Sequence, residues 1–412
     1  MSTSAPEQQT VNSASTALAG TEPVTGLILS GGGARAAYQV GVLAGIADLL
    51  PVGASNPFPV IVGTSAGAIN AVKLASGAAQ FRTAIHELTD FWQSFRSHQV
   101  LRSDWPGVIR QATRFFGRSL LGIGGKDVPV ALLNSSPLRD LLGERLNFSD
   151  IETAIEARHL RAVAVTAFGY ESGQAVTFYQ GRGTIESWLR HRRIGVPTRL
   201  TVDHLLASSA IPLLFAPVRL EHEYFGDGAV RQSAPISPAL HLGANRVLVV
   251  GVSGNPRGLG ANTVVQRNMS GMQPSLAQIG GHMLNSTFID SLESDIELLE
   301  RLNLLSRLLP PAGHAPSPQV SEQPTPAQSL APVDVLVISP SQPIDEIAAR
   351  HRRELPPALR TFLRGPGATK TSGAGVLSYL LFESGYCSEL IELGRRDAMA
   401  QQEELKRFLQ VV

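Results

Sequence analysis

The chain has 412 residues, 43% of them apolar and 17% charged, which is a globular composition with room for a large core and excludes a disordered polyelectrolyte. Lysine plus arginine number 35 against 34 for aspartate plus glutamate, so the formal charge of +1 offers no global attraction for nucleic acid. The single cysteine, Cys387, excludes an internal disulfide and an all-cysteine metal cluster, which leaves a cytosolic chain as the default expectation.

Residues 1–23 are rich in Ser, Thr, Ala and Gln, with no basic start and no apolar run of signal-peptide length, and read as a disordered tail. Thr25-Gly-Leu-Ile-Leu-Ser30 is then a strand, Gly31-Gly32-Gly33 a tight turn and residues 34–50 a helix. The pattern repeats at once, with Phe58-Pro-Val-Ile-Val62 as strand, Gly63-Thr-Ser-Ala-Gly67 as turn and a helix from Ala68. Two such units in succession predict a parallel sheet with helices on its faces. Further strands are predicted over residues 162–168, 175–178, 218–225, 246–252 and 333–339.

The longest helix is predicted over residues 289–309, where Leu292, Ile296, Leu299, Leu302 and Leu305 fall near helical spacing and read as a core face. Residues 310–332 are proline-rich and read as a loop or linker, and the apolar strand after them is expected to rejoin the same sheet. The most apolar runs, 246–252 and 333–339, are of strand length and far short of the ~20 residues of a membrane span. Any membrane contact is therefore expected to be peripheral.

Gly63-Thr-Ser65-Ala-Gly67 fits G-x-S-x-G, the elbow in which a sharp strand-to-helix turn lifts a serine hydroxyl out of a sheet. The bare pattern is weak, but an apolar strand before it and a helix after it supply the context it needs. Gly31-Gly32-Gly33-Ala34 offers unobstructed backbone N–H groups at a helix start, the donors that an acyl transfer requires for its oxyanion. A dinucleotide fingerprint, G-x-G-x-x-A over Gly31, Gly33 and Ala36, competes with that reading. It also requires an acidic residue at the end of the second strand, and residues 58–62 hold none. Gly226-Asp227-Gly228-Ala229 is either a plain hairpin turn or a turn that carries the base for Ser65. An ordinary aspartate, with a pKa near ~3.9, is a feeble base for a hydroxyl, so the second role requires burial.

Together, in this order, Gly-Gly-Gly-x-Arg, Gly-Thr-Ser-Ala-Gly, Ala207-Ser-Ser-Ala-Ile-Pro212 and Asp227-Gly-Ala229 resemble the patatin-like phospholipases over roughly residues 25–238. The resemblance implies a three-layer α/β/α fold with a mainly parallel central sheet. It implies Ser65 as nucleophile, Asp227 as base, and the Gly31, Gly32, Gly33 and Ala34 backbone as oxyanion hole. It places Arg35 beside that hole, to orient the loop or to attract a lipid headgroup. Residues 24–240 then form the catalytic domain and 241–412 an extension that packs on and extends it. Ser378-Tyr-Leu-Leu-Phe-Glu383 and the acidic helix near Asp290 are similar to the extension of longer bacterial members. Two positions depart from the pattern: Ala36 stands where glycine is frequent, and Asp-Gly-Ala replaces Asp-Gly-Gly.

The expected activity is hydrolysis of fatty-acyl esters of phospholipids or lysophospholipids through a Ser–Asp dyad, with no metal or organic cofactor. Transacylation, general carboxylesterase activity and a silent lipid-binding role stay open, as does a triad completed by His241, His282, His314 or His351. Residues 92–124 interleave Trp92, Phe95, Trp105, Phe115 and Phe116 with Arg102, Arg110, Arg114 and Arg118, a composition that suits an anionic lipid surface or, equally, a solvated cover of the sheet. A second basic cluster, Arg190, Arg192, Arg193 and Arg199, reads as a solvated face.

Overall fold

The computed structural model describes residues 23–100, 135–253, 275–308, 332–357, 360–361 and 374–411. Ten strands form one sheet: β1 (Thr25–Leu29), β2 (Val60–Thr64), β3 (Ala162–Gly169), β4 (Ala175–Gly181), β5 (Trp188–Arg190), β6 (Arg193–Pro197), β7 (Val218–Leu220), β8 (Glu223–Asp227), β9 (Arg246–Val250) and β10 (Asp334–Ile338). Their order is β10-β9-β1-β2-β3-β4-β6-β5, and β8 pairs with both β3 and β7. From β10 to β3 every pairing is parallel, whereas β3–β4, β5–β6, β3–β8 and β7–β8 are antiparallel.

The central strands are apolar along their whole length because both faces of the sheet are covered, the usual condition of a parallel sheet. Alternate residues go to separate cores. Leu27, Leu29, Ile61, Val163 and Val165 pack under helices α1 (Ala37–Leu49), α2 (Ala66–Ser76), α3 (Phe81–Gln93) and the helix Ser384–Ala400. Ile28, Val60, Val62, Ala162 and Ala164 face the opposite layer, built from Ser237–His241 and the start of Ser291–Leu308. The fold is thus three-layered α/β with a mostly parallel central sheet, and β9 and β10 belong to that sheet.

Two expectations are corrected. Residues 218–225 are not one strand but a hairpin, β7 and β8, because Glu221 takes a φ of 50° and reverses the chain between Leu220 and Glu223. The stripe along Ser291–Leu308 is a core face only in its first half. Leu292 and Ile296 are buried, whereas Leu302 and Leu305 are 44% and 57% exposed. The tail, the proline-rich segment and most of 92–124 lie outside the described residues.

Candidate active site

The elbow follows from backbone crowding. A Cβ on Gly63 would stand 2.4 Å from the Gly67 carbonyl, and one on Gly67 would stand 2.3 Å from the carbonyl of Leu29, so neither position tolerates a side chain without backbone movement. Between them Ser65 holds φ 55° and ψ −129°, a conformation that costs a non-glycine residue on the order of 1–3 kcal/mol and persists only if its surroundings enforce it. Here they do so from both sides. The Ser65 N–H donates to Ser208 Oγ at 2.9 Å, Ser208 Oγ donates to the Thr166 carbonyl at 2.6 Å, and the Ser65 carbonyl accepts the Ala68 N–H at 2.9 Å as α2 begins.

Strand β3 sets the position of the second residue. The parallel strand β2 ends with Thr64 opposite Thr166. The antiparallel strand β8 arrives from the other direction on the same edge and ends with Asp227 opposite Ala167, the next residue of β3. Two segments 162 positions apart in sequence are therefore brought end to end by consecutive rungs of one ladder. Asp227 shares a face with Ala167, the face on which α2 lies. Gly228 is required at the junction, since a Cβ there would approach the Thr166 carbonyl to 2.1 Å.

Asp227 is fully buried. Its Oδ1 accepts the Ala229 N–H at 3.0 Å, and its main-chain N–H donates to the Ala210 carbonyl at 2.9 Å. Oδ2 has no hydrogen bond of ordinary length among the described residues, yet the Ser65 hydroxyl lies near enough to pull the carboxyl's pKa down. The two groups stand close, short of a formed hydrogen bond. Burial outweighs both the Ser65 and the Ala229 contributions and raises the pKa from 3.8 to about 7. A carboxylate of that basicity is matched to a proton transfer near neutrality.

The glycine turn lies directly over Ser65. A Cβ on Gly31 would meet the Ser65 Cβ at 3.1 Å and the Phe288 ring at 2.7 Å. The N–H groups of Gly31 and Gly32 have no partner among the described residues. Gly33, with φ 55°, and Ala34 enter the short 3-10 turn before α1. The loop's ends are held by buried amides: Gln39 donates to the Ser30 carbonyl at 2.8 Å and Asn70 to the Ala36 carbonyl at 3.1 Å, while the Trp92 indole donates to Asn70 at 2.7 Å.

Its middle is held from far along the chain. Arg35 is only 3% exposed and is turned into the protein. It donates to Asp345 Oδ1 at 2.6 Å and to Ser378 Oγ at 2.8 Å, and its guanidinium lies 4.0 Å from the centre of the Tyr379 ring. Of the two tasks expected for Arg35, this geometry suits loop orientation. Sequence reasoning singled out neither Ser208 nor the Asp345–Ser378–Tyr379 cluster as functional. For Ser208 the signal was its place in the Ala207-Ser-Ser-Ala-Ile-Pro212 motif, and for Ser378 and Tyr379 their place in Ser378-Tyr-Leu-Leu-Phe-Glu383; for Asp345 no local signal exists, because its role depends on a contact across 310 positions.

An apolar cleft opens from Ser65 between Ile69, Trp92, Phe95, Ile211, Phe215 and Phe382. Its cavity volume is about 30 Å³, that of a slot which must widen for a chain to enter. Trp92 and Phe95, expected in a surface-seeking stretch, are buried walls of this cleft, and the other named members of that stretch lie outside the described residues.

No histidine is among the residues that line it. His241 stacks on Trp188 at 4.7 Å and has its pKa pushed down to about 4 by burial and by Arg190 and Arg193. His351 is engaged by Glu354 and Glu389. His314 lies outside the described residues.

A family model described as patatin-like phospholipase matches residues 27–240, just over half of the chain. A curated protein of Pseudomonas aeruginosa (strain BWHPSA011 / Pa011), the cGAMP-activated phospholipase, is 29% identical over 221 residues, covering 52% of this chain and 55% of that protein. The chain thus spans about half the length of the curated relative it matches. Among solved structures, human GIVD cytosolic phospholipase A2 in complex with methyl gamma-linolenyl fluorophosphonate aligns with 94% of this chain and 58% of its own, at 15% identity and a TM-score of 0.43. VipD from Legionella pneumophila aligns with 90% and 67%, at 13% identity and a TM-score of 0.32.

Proposed function

The chain belongs to the patatin-like phospholipase family, and on that premise we propose that it is a serine lipid acyl hydrolase of phospholipase A or lysophospholipase type, working through Ser65 and Asp227. The observation that carries the reading is the β3 ladder, which sets the end of β2 and the end of β8 on successive rungs at Thr166 and Ala167. Ser65 Oγ attacks the ester carbonyl carbon as Asp227 Oδ2 takes its proton. The negative charge that develops on the carbonyl oxygen is met by amides of the Gly31–Ala34 loop, of which those of Gly31 and Gly32 have no partner among the described residues. The C–O bond to the alcohol breaks, Asp227 returns the proton to the departing oxygen, and an acyl ester on Ser65 remains. Water attacks that ester while giving a proton to Asp227; the proton passes to Ser65 Oγ and the fatty acid leaves.

The apolar cleft beside Ser65 is the path for the acyl chain. No helix among the described residues is long and apolar enough to cross a membrane, so in this reading the enzyme meets its lipid from the membrane surface or from solution.

Hydrolysis of a lipid panel by the native chain and by Ser65→Ala and Asp227→Asn tests the proposal. Both variants are expected to lose activity by about 10³-fold or more, while alanine at His241, His282 or His351 retains most of it. A folded histidine variant without activity would replace the dyad by a triad.

A further inference from the structure

The basic run at positions 190–199 reads from sequence as one solvated face, and the structure divides it. Arg199 pairs with Glu152 at 3.4 Å. Arg193 lies beside Asp295, whose carboxyl its charge draws down against the stronger upward push of burial. Arg192 does neither. It sits at the tip of the hairpin joining β5 and β6, one step inside the Arg190–Arg193 pair, and holds φ at 56°, a left-handed conformation that costs an arginine energy.

There it lines an open pocket with His191, Arg231, Ser233, Ser286 and Thr287, in which about 500 Å³ admits the centre of a water molecule. No carboxylate is among the lining residues. Neither Arg192 nor Arg231 has an ion pair or a side-chain hydrogen bond among the described residues. Two guanidinium groups without a partner among the described residues, in one pocket with the hydroxyls of Ser233, Ser286 and Thr287, supply the positive charge and the donors that a phosphate takes up.

The pocket's position gives this chemistry a use. Ala229, whose N–H is held by Asp227 Oδ1, forms part of its wall, so the pocket begins where the carboxylate turn ends. Gln232, also on the wall, accepts a hydrogen bond from Thr64, the residue before the nucleophile, at 2.7 Å. The apolar cleft opens on the Ser65 side of the pair. An ester bound at Ser65 has the hydrocarbon-lined cleft beside it, and the cationic, hydroxyl-lined pocket begins two residues beyond Asp227. A phospholipid has the same sequence of polarity: acyl chain, ester, phosphate.

We propose that the pocket at Arg192 and Arg231 receives the phosphate of a lipid headgroup, so that this site prefers phosphate-bearing esters to neutral glycerides. The lipid part of the statement rests on the hydrolase reading above; the anion part rests on the pocket alone. A free phosphate shares the anion chemistry, and the adjoining apolar cleft is what favours the lipid as its source.

Equilibrium binding to the full chain carrying Ser65→Ala, which removes turnover, tests this with three probes: dihexanoyl phosphatidylglycerol below its micellar concentration, dihexanoylglycerol and inorganic phosphate. The phospholipid is expected to bind about tenfold tighter or more than either of the others. Arg192→Gln with Arg231→Gln erases that preference and leaves the diglyceride bound as before, and the paired lysine variant, which keeps charge without the fork, recovers part of it. Unchanged phospholipid binding in the glutamine variant overturns the proposal, and so does an equal loss for both lipids at an unaltered melting temperature. Should the double variant fail to fold, Arg192→Gln alone, at the exposed hairpin tip, carries the same expectation in smaller measure. Inorganic phosphate bound as tightly as the phospholipid makes the free anion the occupant and overturns the headgroup assignment. Fluorophosphonate labelling of Ser65 in the native chain reads the hydrolase proposal separately: absent labelling with arginine-dependent phospholipid binding defeats that proposal and leaves the pocket standing.

Discussion

The turn that carries Ser65 and the glycine turn above it are held in different ways. The elbow is enforced by the carbonyls and glycines of β1, β2 and α2 and by Ser208, all inside the segment that matches the family. The middle of the glycine turn depends on Asp345 and Ser378, which lie 310 and 343 positions from Arg35 and outside that segment. The geometry of Ser65 is thus a property of the sheet's own crowding, whereas the glycine turn over it is tied to the chain's last quarter. The difference can be broken or sharpened experimentally.

The largest effect is expected at the elbow. Gly67→Ala sets a methyl against two backbone carbonyls that cannot rotate away, and a cost of about 3 kcal/mol with loss of ester hydrolysis is expected. Chemical unfolding and a turnover assay measure both, and a stable, active Gly67→Ala chain would show that the elbow is not held by crowding.

Asp227 comes next, because its pKa separates stability from activity. Below about pH 3.8 the carboxyl is protonated in folded and unfolded chains alike, and its contribution to stability is complete. Between about 4 and 7 the unfolded chain releases the proton while the folded chain keeps it, so stability falls as pH rises, by a total on the order of a few kcal/mol. Activity should rise over the upper part of the same range as the base ionises. Asp227→Asn, which has no proton to release, should lack the stability slope, so that relative to the native chain it is more stable at pH 8.5 than at pH 5. Parallel slopes in the two proteins would remove Asp227 from the explanation.

The distant anchor should give a smaller and different result. Asp345→Asn leaves the Arg35 guanidinium buried without its carboxylate, at a cost of about 2 kcal/mol, moderated because Asp345 itself is 41% exposed. Turnover should fall about tenfold with little change in KM, since the loop's amides act on the developing charge. Arg35→Met with Asp345→Leu should cost less stability than either single change, because no charge is left stranded. Full turnover in Asp345→Asn would mean that Gln39 and Asn70 suffice to hold the loop.

The smallest effect concerns the same distant region. In its protonated form His351 donates from Nδ1 to Glu354 and from Nε2 to Glu389, and these carboxylates raise its pKa above the ordinary value in spite of burial. Its contribution is present below about pH 6.5 and is lost as pH rises through the raised folded value. For a partly exposed cluster the loss in His351→Gln should stay under about 1 kcal/mol, read as a difference in unfolding free energy at pH 6 that vanishes at pH 9.

What could be read from sequence follows the range of the forces involved. Strands β1 and β2, the turns after them and the Asp-Gly turn are legible because glycine crowding and apolar runs are local signals. The reversal at Glu221 was not, since nothing in Leu-Glu-His-Glu marks a left-handed residue. The split role of 291–308 was hidden because leucine spacing is the same over its buried and exposed halves. The inward turn of Arg35 and the grouping of Arg192 with Arg231 depend on pairings between remote segments, on which residue type and spacing are silent.

The shared edge of β3 also determines where this chain can change length. Extra residues at the tip between Leu220 and Glu223 would extend the hairpin outward and leave both rungs where they are. One residue added between Thr166 and Ala167 would carry Asp227 about 3.3 Å from Ser65 and turn its carboxylate through the sheet to the opposite layer. Loop grafting and insertional tagging thus have a permissive site and a forbidden one on adjoining strands of the same hairpin-and-ladder unit.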